Sequence, residues 1–189
     1  MLGKRSVGAV LSLAVLCGCG DPAGGGLADD EGLVTFDYSG ALSGHFEARG
    51  PLSATSPATL AYAGAVGNAS LSGLRAGMPR GNGRRNAVLL VGGFRWTPGQ
   101  LRMCTPDNRV APCFDMSAFF NLDLSGQVDL DEWLFVNSGG TGVVTVTDAS
   151  ATRVRGTFSM TLVNHNGAGT LTVRNGRFDV PLGPLPPGV

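Results

Sequence analysis

From Leu33 onward, apolar and polar residues alternate with a period of two. Val34, Phe36 and Tyr38 alternate with Thr35, Asp37 and Ser39, and Leu42, Gly44, Phe46 and Ala48 alternate with Ser43, His45, Glu47 and Arg49. Successive side chains of a strand point to opposite faces, so the pattern predicts half-buried strands, with Ser39-Gly40-Ala41 as the turn between these two. The alternation returns at Phe120, Leu122 and Leu124, resumes at Val128 and Leu130 after a turn at Ser125-Gly126-Gln127, and continues at Val144 and Val146. It is longest where Val154, Gly156, Phe158, Met160 and Leu162 face one way and Arg153, Arg155, Thr157, Ser159 and Thr161 face the other.

Leu171 and Val173 are followed by Asn175-Gly176 and then Phe178 and Val180. A two-residue hairpin at Asn-Gly and a continuous strand carrying a Gly bulge both keep these apolar residues on one face. The run Ala87-Val88-Leu89-Leu90-Val91 is short and ends at Gly92-Gly93, which predicts a strand buried on both faces. Gly44-His45-Phe46 and Gly156-Thr157-Phe158 share a Gly-x-Phe pattern, as expected where Gly accommodates a bulky neighbour across a sheet. No long stretch after position 20 has helical periodicity. The expected fold is all-β: a single antiparallel β-sandwich or partly open barrel of about nine or ten strands, after a signal peptide and linker. Two Trp and two Tyr are too few for the aromatic girdles of a membrane-spanning barrel.

Composition narrows the function. The chain has 189 residues with 14 basic and 14 acidic side chains, 30 Gly and 11 Pro. Neutrality is not the footprint of a nucleic-acid binder, and 43% hydrophobic residues is too many for a disordered tail. So many Gly and Pro do not suit a helical bundle.

The N-terminus is an address. Lys4 and Arg5 precede an apolar run from Ser6 to Leu16, long enough for a signal peptide core and too short for a membrane span of about 20 residues. Leu16-Cys17-Gly18-Cys19 resembles the lipobox of bacterial lipoproteins, with Leu at −3, a small residue at −1 and then the lipidated Cys. Cys19 fits that role better than Cys17, whose −1 residue would be Leu16. The resemblance implies a signal peptide at 1–18, a lipidated Cys19 and membrane attachment through the lipid. Gly20 after Cys19 resembles the arrangement that permits export to the outer membrane of a Gram-negative cell. Residues 19–32, with three consecutive Gly and the acidic Asp29-Asp30-Glu31, read as a flexible tether. The β-domain then occupies 33–183 and a Pro-rich tail 184–189. Cleavage also removes Lys4, the only Lys, and leaves 12 Arg against 14 acidic residues.

Outside the cytoplasm, Cys104 and Cys113 are expected to pair as a disulfide across a turn-rich loop. His45 and His165 are too far apart in sequence to suggest a zinc site, and no cofactor is expected. Asn121 to Glu132 can be laid on an EF-hand calcium loop, with Asn121, Asp123, Ser125, Asp129 and Glu132 at positions 1, 3, 5, 9 and 12. A hairpin with outward Asp123, Asp129 and Asp131 accounts for the same residues. Arg80, Arg84 and Arg85 punctuate Gly81-Asn82-Gly83 and read with it as a mobile basic loop. Arg84 and Arg85 with Arg95 and Trp96 form a candidate interface, the competing reading being a core Phe94 or Trp96 beside a solvated Arg95. No Gly-x-Ser-x-Gly elbow is present, His45 is at an outward strand position and His165 is in a turn, so no catalytic residue is assigned.

Val143 to Thr147, Val154-Arg155-Gly156-Thr157-Phe158-Ser159 and Asn175-Gly176-Arg177-Phe178-Asp179-Val180-Pro181 together resemble the C-terminal end of uncharacterised bacterial lipoproteins with a G-T-F-S … N-G-x-F-D-V ending. The resemblance covers about 40 residues and implies a surface or periplasmic β-domain without catalytic residues. The expectation is a lipid-anchored envelope protein, not an enzyme, whose β-domain is a binding or structural module for an envelope protein or glycan, with no nucleic-acid partner. The alternatives are an envelope hydrolase acting on glycans or esters and a calcium-dependent binding module.

Overall fold

The structure, a computed structural model, describes residues 27–51, 60–66, 69–80, 84–105, 112–123 and 134–184. The expected signal peptide, Cys19 and the start of the expected tether lie outside the described residues. Among the described residues ten strands follow one another: β1 (Glu31–Gly40), β2 (Gly44–Pro51), β3 (Leu60–Val66), β4 (Ala69–Arg80), β5 (Arg84–Gly92), β6 (Gly99–Met103), β7 (Cys113–Asp123), β8 (Leu134–Ala149), β9 (Arg153–Asn164) and β10 (Thr170–Gly183). No helix occurs among the described residues.

The pairings close on themselves. β10 pairs along one edge with β9 and along the other with β1 and then, at Leu182 and Gly183, with β3. From β3 the ladder runs through β4, β5 and β7 to β8, which pairs β9, and β6 is inserted between β7 and β8. β2 extends the sheet beyond β1. All pairings are antiparallel except the short β10–β3 and β6–β7 contacts. The fold is therefore all-β, as the alternation requires, and it is a closed barrel with side chains filling its interior.

One core holds it together. Val34, Phe36, Phe46, Leu74, Val88, Leu90, Phe114, Met116, Val144, Val154, Phe158, Leu162, Leu171, Phe178 and Val180 are among the side chains that meet inside. A continuous line of ring contacts crosses the interior from Phe94 through Trp96, Phe178, Phe158, Phe36, Tyr38 and Phe120 to Phe135, with centroid separations of 4.9, 6.0, 6.4, 5.7, 6.1, 4.9 and 5.9 Å. The cavity beside Trp96, Phe158 and Phe178 measures about 10 Å³ and has an apolar lining. Burial of each large apolar side chain contributes roughly 1.5–3 kcal/mol.

Two glycines make this packing possible. Phe178 on β10 is the register partner of Gly156 on β9, and Phe158 on β9 is the partner of Gly176 on β10. A Cβ on Gly176 would be 2.5 Å from the Phe158 ring, and one on Gly156 would collide with the Phe178 ring and the Thr145 carbonyl. Each ring thus occupies space that only a glycine leaves open. The G-T-F and N-G-x-F patterns are two halves of this reciprocal arrangement.

Of the two arrangements left open at Asn175-Gly176, the structure has the bulge: β10 runs without a break, and Asn175 takes the left-handed conformation with φ 54°. The register shifts there against β9, between Val173 and Gly176. β1 begins at Glu31, two residues inside the expected tether, and its turn to β2 is Ala41-Leu42-Ser43 in place of Ser39-Gly40-Ala41. Ala41 N–H donates to the Thr170 carbonyl at 2.9 Å, which holds β1 in extended pairing through Gly40. In β5, Asn86, Val88 and Leu90 are buried, whereas Ala87, Leu89 and Val91 are half-buried, because the barrel wall is a single layer. Arg84 and Arg85 belong to β5 and pair with Arg80 and Pro79 of β4, so only residues 81–83 of the expected basic loop remain outside the described strands.

Cys104 and Cys113 form a disulfide with Cα atoms 4.9 Å apart, joining the end of β6 to the start of β7. The Cys104 N–H also donates to the Phe114 carbonyl at 2.8 Å. The two strands are parallel neighbours over Arg102–Cys113 and Met103–Phe114.

Candidate functional site

The packed interior directs attention to the outer face. Inward positions are committed to the core by barrel closure, whereas outward positions of the same strands are free to carry chemistry. Among the described residues, a polar region covers the outside of β8, β9, β10, β1 and β2. Thr145, Thr157, Arg177, Thr35 and Glu47 are successive register partners across these five strands. A second row places Asp148, Arg155, Asp179, Leu33 and Arg49 side by side.

Charge in the second row is paired. Arg155 donates to Asp179 at 3.1 Å and to Asp148 at 3.3 Å. Arg153 is hydrogen-bonded to the other oxygen of Asp179 and donates to the Glu31 carbonyl at 2.9 Å, as well as to the carbonyls of Ala28 and Asp29. Arg153 therefore clamps the chain entering β1 against the end of the barrel. Glu31 accepts from Arg49 at 2.9 Å; that bond lowers the Glu31 pKa below the ordinary carboxylate value and raises that of Arg49.

Next to the first row, on the side away from the second, the β1–β2 register sets Asp37 opposite His45. His45 Nδ1 lies 2.8 Å from Asp37 Oδ1, and His45 Nε2 lies 3.1 Å from the Thr35 hydroxyl and 3.8 Å from Glu47. The other oxygen of Asp37 accepts from the Asn175 amide at 2.9 Å. Asn175 first and His45 second hold the Asp37 carboxyl below its ordinary pKa. The order hydroxyl, imidazole, carboxylate is that of a nucleophile relay. His45 and Asp37 are, however, 55% and 52% exposed, so solvent screens the chain of bonds, and its geometry ties β1, β2 and β10 together on the surface. The two carboxylates approach opposite ring nitrogens and so do not converge on one metal ion. No group of three or more His, Cys, Asp or Glu able to hold a metal occurs among the described residues.

Beside Asn175 lies a depression of about 360 Å³, lined by Val143, Thr145, Thr157, Phe158, Ser159, Asn175, Gly176 and Arg177. The bulge shapes it. Normal alternation would send Arg174 and Asn175 to opposite faces, but the extra residue leaves Arg174, Asn175 and Arg177 all exposed while Val173 and Gly176 stay buried.

The sequence-predicted candidates are distributed elsewhere. Trp96 is only 9% exposed, stacks edge-on against Phe94 at 4.9 Å and contacts Phe178, so it belongs to the core, while Arg95 is exposed. It is not an interface residue, because the chain after β5 folds Phe94 and Trp96 inward, where the Ser72 hydroxyl donates to the Phe94 carbonyl at 2.7 Å. Asn121 and Asp123 sit at the end of β7, which occupies the place an EF-hand entry helix would need. Ser125, Asp129 and Glu132 lie outside the described residues. His165, in the β9–β10 turn, donates its backbone N–H to the Leu134 carbonyl at 2.8 Å. Sequence reasoning missed the joining of Thr35, Asp37, His45 and Asn175. The signal was the alternation itself, which puts Thr35, Asp37, His45 and Glu47 on one outward face once the turn is placed at Ala41–Ser43.

No family model matches the chain, no curated protein matches its sequence, and no solved structure matches its fold.

Proposed function

We propose that this is a lipid-anchored envelope protein whose barrel is a binding module, presenting the polar outer face of β8, β9, β10, β1 and β2 to an envelope glycan or protein. The observation that carries the reading is the contrast between a filled interior and an outward depression of about 360 Å³ lined by hydroxyl, amide and guanidinium groups. Binding by such a barrel takes place on its wall. Lipid attachment at Cys19 rests on Leu16-Cys17-Gly18-Cys19, and the Cys104–Cys113 disulfide agrees with an oxidising compartment. From Cys19 to the Arg153 clamp at Ala28 the chain reaches at most about 30 Å when fully extended. The barrel would therefore stand close to the membrane surface.

Two linked measurements test this. Globomycin should cause the unprocessed form to accumulate, and Cys19→Ala should move the protein from the membrane to the soluble fraction; a variant that stayed membrane-bound would refute lipid anchoring. A photo-crosslinking residue at Ser159, inside the depression, should give a defined envelope adduct in intact cells, whereas the same residue at Leu89 on β5 should not. Equal labelling at both positions, or none at Ser159, would refute the module.

A further inference from the structure

We infer that the depression at the β10 bulge is a subsite for the carboxylate of an acidic sugar, an inference that rests on the binding-module reading and names its ligand class. The argument starts from Arg177. Of the four other arginines on this outer face, Arg49, Arg153 and Arg155 are each paired with carboxylates, and Arg174 stands opposite Asp37 in register. Arg177 is exposed and makes no ion pair among the described residues. Its register partners are Thr157 on β9 and Thr35 on β1, and neither can neutralise it. The nearby Asp37 is already engaged by His45 and Asn175. Arg177 is therefore a cation without a counter-charge among the described residues, at the wall of a depression lined by hydroxyls.

The lining specifies the ligand. Arg177 offers a planar fork of N–H donors that matches a carboxylate in two parallel bonds. Thr145, Thr157 and Ser159 supply hydroxyls that donate or accept, as ring hydroxyls of a sugar require, and no carboxylate lines the depression to repel an anion. Its volume of about 360 Å³ falls at the small end of ligand sites, of roughly 300–1,000 Å³, and suits one sugar ring more than an extended peptide. Arg174, exposed on the same face and paired in register with Asp37, adds positive potential without lining the site. One guanidinium in the lining favours a monoanionic carboxylate over a phosphate, which would draw on further cations or backbone N–H groups.

The bulge is what assembles the subsite. The left-handed Asn175 donates its amide N–H to Asp37 and so engages that carboxylate, and Gly176 keeps the strand seated over Phe158 while its neighbours on both sides face out.

The test is calorimetric titration of the full chain in detergent micelles with three probes: a trisaccharide ending in a uronic acid, the same trisaccharide with the carboxylate reduced to an alcohol, and inorganic phosphate. The acidic trisaccharide should bind, the reduced one at least tenfold more weakly, and phosphate should not compete at matched concentration. Arg177→Ala should lower affinity for the acidic probe at least tenfold, Arg177→Lys should restore part of it, and Thr157→Val should cost several-fold, with the thermal midpoint unchanged because these side chains are exposed. Unchanged affinity in Arg177→Ala, equal binding of the reduced sugar, or equal competition by phosphate would each overturn the inference. Failure here with the Ser159 adduct intact removes the acidic sugar and leaves the binding module; loss of that adduct as well removes the module.

Discussion

Two arcs of the same barrel wall have different exteriors. On the outside of β8, β9, β10, β1 and β2 stand Thr145, Thr157, Ser159, Arg177, Asp37, His45 and Glu47, most of them exposed. On the outside of β5, β7 and the first turn of the ladder into β8 and β9, the register aligns Leu89, Ser117, Val136 and Val163, with Ala87 and Phe119 one step along. All six of those side chains are half-buried. β9 takes part in both, since Thr157 and Ser159 lie in the polar arc and Val163 in the apolar one. The inner faces do not differ in this way: both arcs point Val, Leu, Met and Phe at the same core. Closure fixes the inside everywhere and leaves the outside to vary. The polar arc carries ion pairs and hydroxyls that contribute little to stability at a wet surface, and this is the arc that holds the depression.

The shared interior is the place to test whether the arcs are one cooperative unit. Phe158→Ala removes a ring that is 7% exposed, seated against Gly176 and touching Phe36 and Phe178. Such truncations cost about 3–5 kcal/mol, and Gly176 leaves no side chain able to fill the void. Urea unfolding should give that loss, with hydrogen exchange accelerated on β5 and β7 as well as on β9 and β10. A loss below about 1 kcal/mol, or one confined to β9 and β10, would mean that the arcs are separate folding units.

The arcs were also unequally legible. Where outward residues are polar, as from Arg153 to Leu162, the alternation is clean and the strand, its inward face and its outward face could all be read. Where outward residues are apolar, as in Ala87 to Val91, the two faces look alike, and a single wall with a half-buried exterior resembles a strand enclosed on both sides. The Asn175-Gly176 ambiguity had a different origin: hairpin and bulge preserve the same parity, and what distinguishes them is the pairing of Gly176 with Phe158, a long-range contact. The candidate site needed long-range information of the same kind. Asp37 and His45 are 8 residues apart, but Asn175 reaches Asp37 across 138 residues, a separation no local pattern encodes. Trp96 stood among candidate interface residues because an aromatic beside Arg95 has no period to mark it as inward; the fold decides that by laying the chain after β5 across the core.

A second, smaller effect belongs to the apolar arc alone. The Cys104–Cys113 disulfide closes a loop of sequence separation 9 at the start of β7. In the chain-entropy description a loop of that size contributes about 2–3 kcal/mol, by restricting the unfolded chain. Replacing both Cys by Ala should lower the unfolding free energy by that amount, and native-state hydrogen exchange should show β6 and the first residues of β7 opening before β9 and β10. A uniform loss of protection over both arcs would contradict a local role for the staple.

The smallest effect belongs to the polar arc and depends on pH. Asp37 and Glu31 both lie on β1, and their folded pKa values are below the ordinary ones, through the Asn175 and His45 bonds in the first case and the Arg49 bond in the second. A carboxylate that is harder to protonate when folded stabilises the fold fully above its unfolded value, about 3.9 for Asp and 4.3 for Glu, and loses that contribution as pH falls through the depressed folded value. The double variant Asp37→Asn, Glu31→Gln cannot lose what it does not titrate. Wild type should therefore be the more stable of the two at about pH 7, and the gap in their urea midpoints should close between about pH 5 and pH 2.5. Both carboxylates face solvent, so the gap should also shrink when salt is raised to about 1 M at neutral pH. A gap that stayed constant across the acid range would show that these bonds add nothing to stability on the polar arc. The amide and hydroxyl groups they hold in place, Asn175 above all, would then be positioned by the bulge alone.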